Sequence, residues 1–352
     1  MKREKDIYSR VVAKDNIKKA ILYASKRKKD RRNVIKVLDN IDYCVDLLES
    51  MLKNKTYKPS PYQEKKIQDG VRKKERIIYK PRFFPDQCVH WALMLQLEPI
   101  LKKGMYEYCC ASVKGRGILY GAKHLKHILV EDRKNTKYCL KLDIKKFYPN
   151  INKEILKKKF RRKIKDRDAL DLIDAIIDSS KEGLPIGNYT SQWFANFFLQ
   201  DLDHYIKEEL HVKYYIRYMD DMVLFSRNKK ELRKQKDAIV EFLKKEDLNL
   251  KENWQLFKTE SRPVDFLGYR FYRGYTTIRR SNFLRIRRRI RKISKKTNIS
   301  YKDASAVLSY NGWIKHCDSY NFTQKYMKPY VDLKKCKGVI RYESRKQFKT
   351  KK

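Results

Sequence analysis

Tyr214-Tyr215-Ile216-Arg217-Tyr218-Met219-Asp220-Asp221-Met222-Val223-Leu224-Phe225-Ser226 is the stretch on which the fold turns. Two apolar runs flank an acidic dipeptide. Aromatic and β-branched residues dominate both, so each reads as a short strand, with Asp220 and Asp221 at the bend between them. Two adjacent carboxylates repel each other, and a buried pair needs a cation. Hard oxygen ligands on a rigid hairpin suit Mg2+ better than Zn2+. Most Asp-Asp pairs are solvated turns. Apolar strands on both sides drive this one into a core-supported site.

Such a site needs a third carboxylate. Tyr138-Cys139-Leu140-Lys141-Leu142 is a strand candidate leading to Asp143, and Pro149 breaks the segment before a helical pattern begins. Asp143 thus ends a strand, where site residues cluster. Together the two segments resemble the palm of a reverse transcriptase. The resemblance implies an α/β (α+β) right-hand polymerase fold: fingers, a palm of antiparallel sheet plus helices, and a helical thumb. It also implies two Mg2+ ions, with Mn2+ as a possible substitute. Asp143, Ile144, Asp220 and Asp221 are their expected ligands, and the three aspartates are the catalytic residues. Tyr218 and Met219 are expected to touch nucleic acid.

Length and charge agree with that class. A chain of 352 residues holds two or three domains or one multi-lobed one. Its net charge of +44 implies a polyanionic partner, with an anionic membrane surface as the other candidate. No apolar run is long enough to span a bilayer and no secretory leader is present, so a cytoplasmic protein without a membrane is expected, bacterial or phage-encoded. The seven cysteines are irregularly placed, with no Cys-x-x-Cys pair, and read as reduced buried thiols.

Along the chain, residues 7 to 52 look helical, with Val34, Val37, Leu38, Ile41, Val45 and Leu48 at helical spacing. This is either a packed helix with a solvated basic face or, as the family implies, an extension that helps hold template RNA. Residues 59 to 84 read as a hairpin turning near Asp69-Gly70. It resembles the fingers hairpin that folds over the incoming triphosphate, with Arg76 the better match to the phosphate-binding arginine and Lys66 the weaker. Residues 85 to 101 read as a buried helix. Gly115-Arg116-Gly117 resembles a second block of group II intron-type enzymes, where Arg116 either meets nucleic acid or is a structural arginine paired with a carboxylate.

Tyr148 occupies the position where the family carries an aromatic under the incoming sugar, so it is expected to exclude ribonucleotides, while Phe147 faces the core. Residues 152 to 180 and 229 to 246 read as charged helices. Lys251 to Lys258 returns to strand character, and Lys258 matches the basic position that can protonate the leaving pyrophosphate, or is a surface lysine. Val264 to Phe271 resembles the primer-grip hairpin, with Gly268 permitting its tight backbone. From Arg279 the chain is very basic. Phe283, Ile286, Ile290 and Ile293 line one face of a helix whose other face carries Arg285, Arg287, Arg288 and Arg291, expected on the phosphates of a template-primer duplex. Trp313, Tyr320, Tyr326 and Tyr330 are expected in the thumb core, and the tail from Lys334 is expected to fray.

The block Gly183 to Gln192 narrows the class. Most reverse transcriptases read Gln-Gly and end Ser-Pro there. Here Ile186 replaces the glutamine, ahead of Gly187, and Gln192 replaces the proline. That variant resembles the enzymes of diversity-generating retroelements, which copy a template-repeat RNA with frequent errors opposite adenine. Ile186, Gly187 and Gln192 are then nucleotide-side residues. The partners implied are template RNA, the RNA/cDNA duplex, deoxynucleoside triphosphates and a small basic pentameric accessory protein. The expected division is 1–135 extension and fingers, 136–275 palm (with 151–182 helical, packing towards the fingers) and 276–352 thumb. Alternatives are a group II intron-type enzyme that assists splicing, or a non-catalytic RNA-binding protein on a palm scaffold. The lack of a nuclease or zinc segment after the thumb argues against a full intron protein, and intact aspartates argue against the scaffold. The primer-grip-region signature of retron enzymes is absent, which sets that class lower.

Overall fold

In a computed structural model, residues 3–69 and 74–349 are described. Helices α1 Ile7–Val12, α2 Lys14–Ser25, α3 Arg32–Asp39 and α4 Ile41–Lys53 occupy the region expected as helical, broken where loop residues intervene. Buried Asn16 ties this bundle to the chain that follows: its amide donates to the carbonyls of Val11 and Ala92, both at 3.0 Å. The fingers hairpin pairs β1 Gln63–Asp69 with β2 Lys74–Lys80; its turn, expected at Asp69-Gly70, lies outside the described residues. α5 Cys88–Lys102 is apolar on nearly every face and is buried accordingly.

The palm sheet takes its strands from distant parts of the chain. After α6 Ile118–Glu131 comes β3 Tyr138–Asp143. Helices α7 Phe147–Asn150, α8 Lys153–Lys163, α9 Arg167–Asp178, α10 Tyr189–Phe198 and α11 Gln200–His204 follow. Then β4 Tyr214–Tyr218 and β5 Asp221–Ser226 form the acidic hairpin, α12 Lys229–Lys245 crosses behind, and β6 Gln255–Lys258 closes the sheet. The order is β4-β5-β3-β6, all antiparallel. Central strands β3 and β5 are buried on both faces, which is why Cys139-Leu140 and Met222 to Phe225 read as apolar runs without alternation.

A three-stranded sheet, β7 Val264–Phe266, β8 Tyr269–Phe271 and β9 Thr276–Ile278, leads to the thumb. The thumb comprises α13 Arg280–Ser294, α14 Tyr301–Ile314, α15 Tyr320–Tyr326 and α16 Leu333–Lys349. Ile286, Ile290 and Ile293 of α13 are fully buried against Ala304, Val307 and Cys336, a core of the thumb's own. Two expectations change here. The tail does not fray from Lys334 but forms α16, because buried Cys336, with Val339 and Ile340 packed beside it, gives it a face to seat. Tyr320 is 76% exposed and takes no part in the core that Trp313, Tyr326 and Tyr330 border.

Candidate active site

The acidic hairpin has a two-residue turn. Tyr218 pairs with Asp221, leaving Met219 and Asp220 at the bend. Asp143 at the end of β3 pairs with Asp221 across the sheet. Register alone therefore brings three carboxylates to one sheet end. Met219 sits at φ 55°, a region that costs a residue other than glycine about 1–2 kcal/mol. The turn is held from beneath by a residue absent from the expected site. Arg217, wholly buried, donates to the Met219 carbonyl at 3.1 Å and to Asn196 Oδ1 at 3.2 Å. Its Nε and Nη2 grip buried Asp203 at 2.7 and 2.5 Å, and Tyr215 Oη donates to the same carboxylate at 2.8 Å. The signal was in the sequence: a charged residue in the middle of an apolar strand, on the same face as Tyr215.

Burial and the neighbouring carboxylates give the site its electrostatics. Desolvation, then the charge of Asp143, pushes Asp220 up to about 6. Desolvation likewise pushes Asp221 up to about 6, opposed by Lys141. Lys251 Nζ lies 2.6 Å from Asp143 Oδ1, and Lys141 Nζ lies 3.6 Å from Asp221 Oδ2. Asp221 Oδ1 is buried with no hydrogen-bond partner among the described residues. Hard oxygens whose charged forms are destabilised by burial fit a divalent cation, with the Ile144 carbonyl as the only means by which that fully buried residue could contribute. Among the described residues no three acidic, His or Cys side chains form a ready-made cage, so the expected four-ligand cluster is not preassembled. In its place Asp143 and Asp221 are each paired with a lysine.

Around this centre the expected residues separate into those the fold brings close and those it does not. Tyr148 Oη lies 3.5 Å from Met219 Sδ, so the expected sugar-side ring borders the acidic turn, while Phe147 is buried. The first half of the block at 183 to 192 is tied to the palm and to the fingers. Leu184 N–H donates to the Tyr148 carbonyl at 2.8 Å, and the Ile186 carbonyl accepts from Tyr79 N–H of β2 at 2.8 Å. Gly187, at φ +123°, has Ile78 Cγ2 only 2.6 Å from where a Cβ would sit, so the loop rides directly on the fingers strand. Exposed Gln192 accepts from Ser112 Oγ at 3.0 Å.

Strand register separates Arg76 from Lys66. Arg76 pairs with Ile67 and Lys66 with Ile77, so the two cations point to opposite faces. Arg76 shares its face with Ile78, which meets Gly187; Lys66 lies on the other and pairs with Glu75 at 3.2 Å. Lys258 also moves away: it pairs with Tyr138, five residues from Asp143, roughly 16 Å along the strand. Lys251 holds the place beside the carboxylates instead. Arg116 donates to the Tyr106 carbonyl at 2.6 Å and has no ion pair with a carboxylate among the described residues. Gly268 turns the β7–β8 hairpin with Leu267, both at positive φ, and Trp313 of the thumb lies 3.0 Å from its would-be Cβ. It is thus the seat of the thumb on the palm. Tyr218 is half-buried at the turn. On α13, Arg285, Arg288 and Arg291 are exposed and Arg287 is half-buried; Arg287 and Arg291 lie over the rings of Tyr326 and Tyr330 at 5.0 and 5.9 Å.

Known proteins resemble this chain. A family model described as reverse transcriptase (RNA-dependent DNA polymerase) matches residues 71–271. The chain is 28% identical to the Retron Ec73 reverse transcriptase of Escherichia coli, over 74% of this chain and 84% of that enzyme. It is 22% identical to the Retron Se72 reverse transcriptase of Salmonella heidelberg (strain 579083-10), over 81% of this chain and 68% of that one. Both are retron enzymes, the class that the sequence reading set below the diversity-generating one. Among solved structures, apo telomerase from Candida Tropicalis truncated from its C-terminal domain superposes with TM-score 0.47 and 16% identity, covering 65% of this chain and 58% of that one. Telomerase from Candida albicans with a fragment of telomeric RNA gives 0.49 and 12%, covering 75% and 55%. The chain spans little more than half the length of these telomerase chains. Among the described residues, no helix is long and apolar enough to cross a membrane.

Proposed function

We propose a particular task for this chain, which belongs to the reverse transcriptase family and is an RNA-directed DNA polymerase: it copies the template-repeat RNA of a diversity-generating retroelement into cDNA mutated opposite adenine. The observation that carries this reading is the loop at 183 to 192. Its Ile186 carbonyl is spent on the Tyr79 N–H, and its side chain offers no hydrogen bond where the resemblance to reverse transcriptases implies an amide. A correctly placed nucleotide then loses a contact worth roughly 1 kcal/mol, a several-fold change in discrimination. Larger error rates require template geometry and the accessory protein as well.

The residues divide the reaction as follows. Asp143, Asp220 and Asp221, with the Ile144 carbonyl, would hold the Mg2+ pair. Bound there, the two ions supply activation of the attacking hydroxyl and neutralisation of the triphosphate. Arg76 meets the triphosphate from the fingers, and Tyr148 presents its ring where a 2′-hydroxyl would sit. Lys251, whose ammonium lies 2.6 Å from Asp143 Oδ1, would give a proton to the leaving pyrophosphate in preference to the more distant Lys258.

A retron-type enzyme is the second reading, favoured by the likeness to two retron reverse transcriptases. Sequencing cDNAs made on one RNA by the wild type and by Ile186→Gln separates the two. The diversity-generating reading expects wild-type errors concentrated opposite adenine, and a several-fold drop there in the variant with activity retained. An even error spectrum in the wild type would favour the retron-type reading. Identical spectra in both forms would leave Ile186 as packing only.

A further inference from the structure

Away from the aspartates, a cavity of about 320 Å3 opens between the amino-terminal helices and the root of the fingers hairpin. Its walls come from the loop joining α2 to α3 with the start of α3, from Gln63 of β1, and from the end of β2 with the segment after it; no residue of the palm sheet or of the 183–192 loop lines it. Four cations face it: Lys28 and Arg31 from the loop, Lys80 and Arg82 from the hairpin root. No carboxylate is among the lining residues. The side chains of Arg31, Lys80 and Arg82 have no hydrogen bond or ion pair among the described residues. Lys28 is held in place, donating to Gln87 Oε1 at 2.5 Å, while Gln87 Nε2 donates to the Pro81 carbonyl at 2.9 Å. Lys28 is half-buried, and desolvation followed by the charge of Arg31 pulls its ammonium below the ordinary lysine value.

Among the described residues the two buried cations are paired, Lys159 with Asp201 and Glu246 and Arg217 with Asp203, whereas at this cavity half-buried Lys28 and exposed Arg31, Lys80 and Arg82 face one another without a lining carboxylate. Four convergent cations without a counter-charge repel one another across the joint between two parts of the fold. An anion seated between them would relieve that repulsion and brace the hairpin root against the helices.

We propose that this cavity is a phosphate-binding site separate from the reaction centre. Its ligand is a phosphate group, supplied either by the backbone of a single-stranded nucleic acid or by free phosphate. Arg31 and Arg82 provide planar donor forks suited to two phosphate oxygens, and Lys28 and Lys80 add point charges. The inference does not depend on which retroelement the enzyme serves.

The test compares two double variants of equal charge change in the full chain. Arg31→Gln/Arg82→Gln removes the forks; Lys230→Gln/Lys234→Gln removes exposed cations from α12. Thermal melting in increasing inorganic phosphate reads ligand binding as a rise in Tm. The wild type and the α12 variant are expected to rise alike, and the fork variant to need at least tenfold more phosphate for the same rise. A ten-nucleotide single-stranded RNA, titrated by fluorescence anisotropy, separates the sources. At least tenfold weaker RNA binding in the fork variant alone assigns the site to backbone phosphate; loss confined to inorganic phosphate assigns it to the free ion. Equal weakening in both variants, or none in either, would overturn the proposal by reducing the cavity to part of a general positive field.

Discussion

Asp220 and Asp221 each titrate near 6 rather than near 4 when no cation is present, chiefly because burial penalises their charged forms. The sign of the consequence is fixed. Their folded-state values are raised, so their carboxylates cost stability as pH rises from about 4 through about 6, and a bound cation recovers that cost. Protons compete with the cation on the acid side. Mg2+ or Mn2+ affinity, measured by calorimetry, should therefore be flat above about pH 6.5 and weaken by up to tenfold per unit per displaced proton below it. A profile flat down to pH 5 would show that these carboxylates are not the ligands. Arg217 permits a second test. Arg217→Met strands Asp203 as a buried unpaired charge and should cost about 3–5 kcal/mol in chemical denaturation. Arg217→Met/Asp203→Leu should recover part of it by removing the orphaned charge. A loss under about 1 kcal/mol in the single variant would mean that the network beneath Met219 is not holding the turn.

At the scale of elements, α13 is the case where a pattern read from sequence needed structure to be resolved. Its apolar stripe seats on the thumb core, and the arginines that share the opposite face are not equivalent. Arg287 is half-buried over the Tyr326 ring, which shields part of its charge; Arg291 lies over Tyr330 but stays exposed, and Arg285 and Arg288 stand in solvent. Replacing Arg285 and Arg288 with Gln should weaken template-primer binding across all sequences. The log-log salt slope should flatten by about one per lost phosphate contact. Replacing Arg287 and Arg291 should also lower thumb stability, visible as an earlier melting transition. An unaltered salt slope in the first pair would place the duplex on another surface. The loop at 183 to 192 makes the complementary point. Its Gly and Pro marked it as a loop and the family resemblance implied a place beside the nucleotide, but its attachment to β2 through Tyr79 could not be foreseen, because that bond joins segments over a hundred residues apart.

On the scale of the whole molecule, three apolar cores divide the work. The first joins the amino-terminal helices to the front of the palm, the second packs α6 and the β7–β9 sheet behind it, and the third belongs to the thumb. The first of these cores is continuous from the amino-terminal helices into the palm. The thumb meets them through a narrow seat: Gly268 against Trp313, Tyr269 Oη on the Trp313 carbonyl at 3.0 Å, and Thr276 N–H on Asp318 at 2.7 Å. A net charge of +44 surrounds this frame, and a polymerase of nucleic acid can bear it because its substrate supplies the counter-charge.

The sequence by itself determined the family of the protein, a reverse transcriptase, but not which retroelement it serves. Local pattern sufficed for the acidic hairpin, for Asp143 at a strand end, for the helices and for the basic stripe of α13, since each depends on residues within one turn or strand of one another. Tertiary structure alone decided which of the matching side chains meet. Register, which no single strand specifies, put Arg76 and Lys66 on opposite faces and carried Lys258 to the far end of the sheet. Chain reversal after Leu248 brought Lys251 to Asp143, and burial of Asp203 beneath Arg217 turned an odd charge in a strand into the support of the site. The physical reason is common to all of these. Propensity and periodicity act along the chain, whereas a charge–charge contact needs two segments closed on each other by a core that neither contains alone.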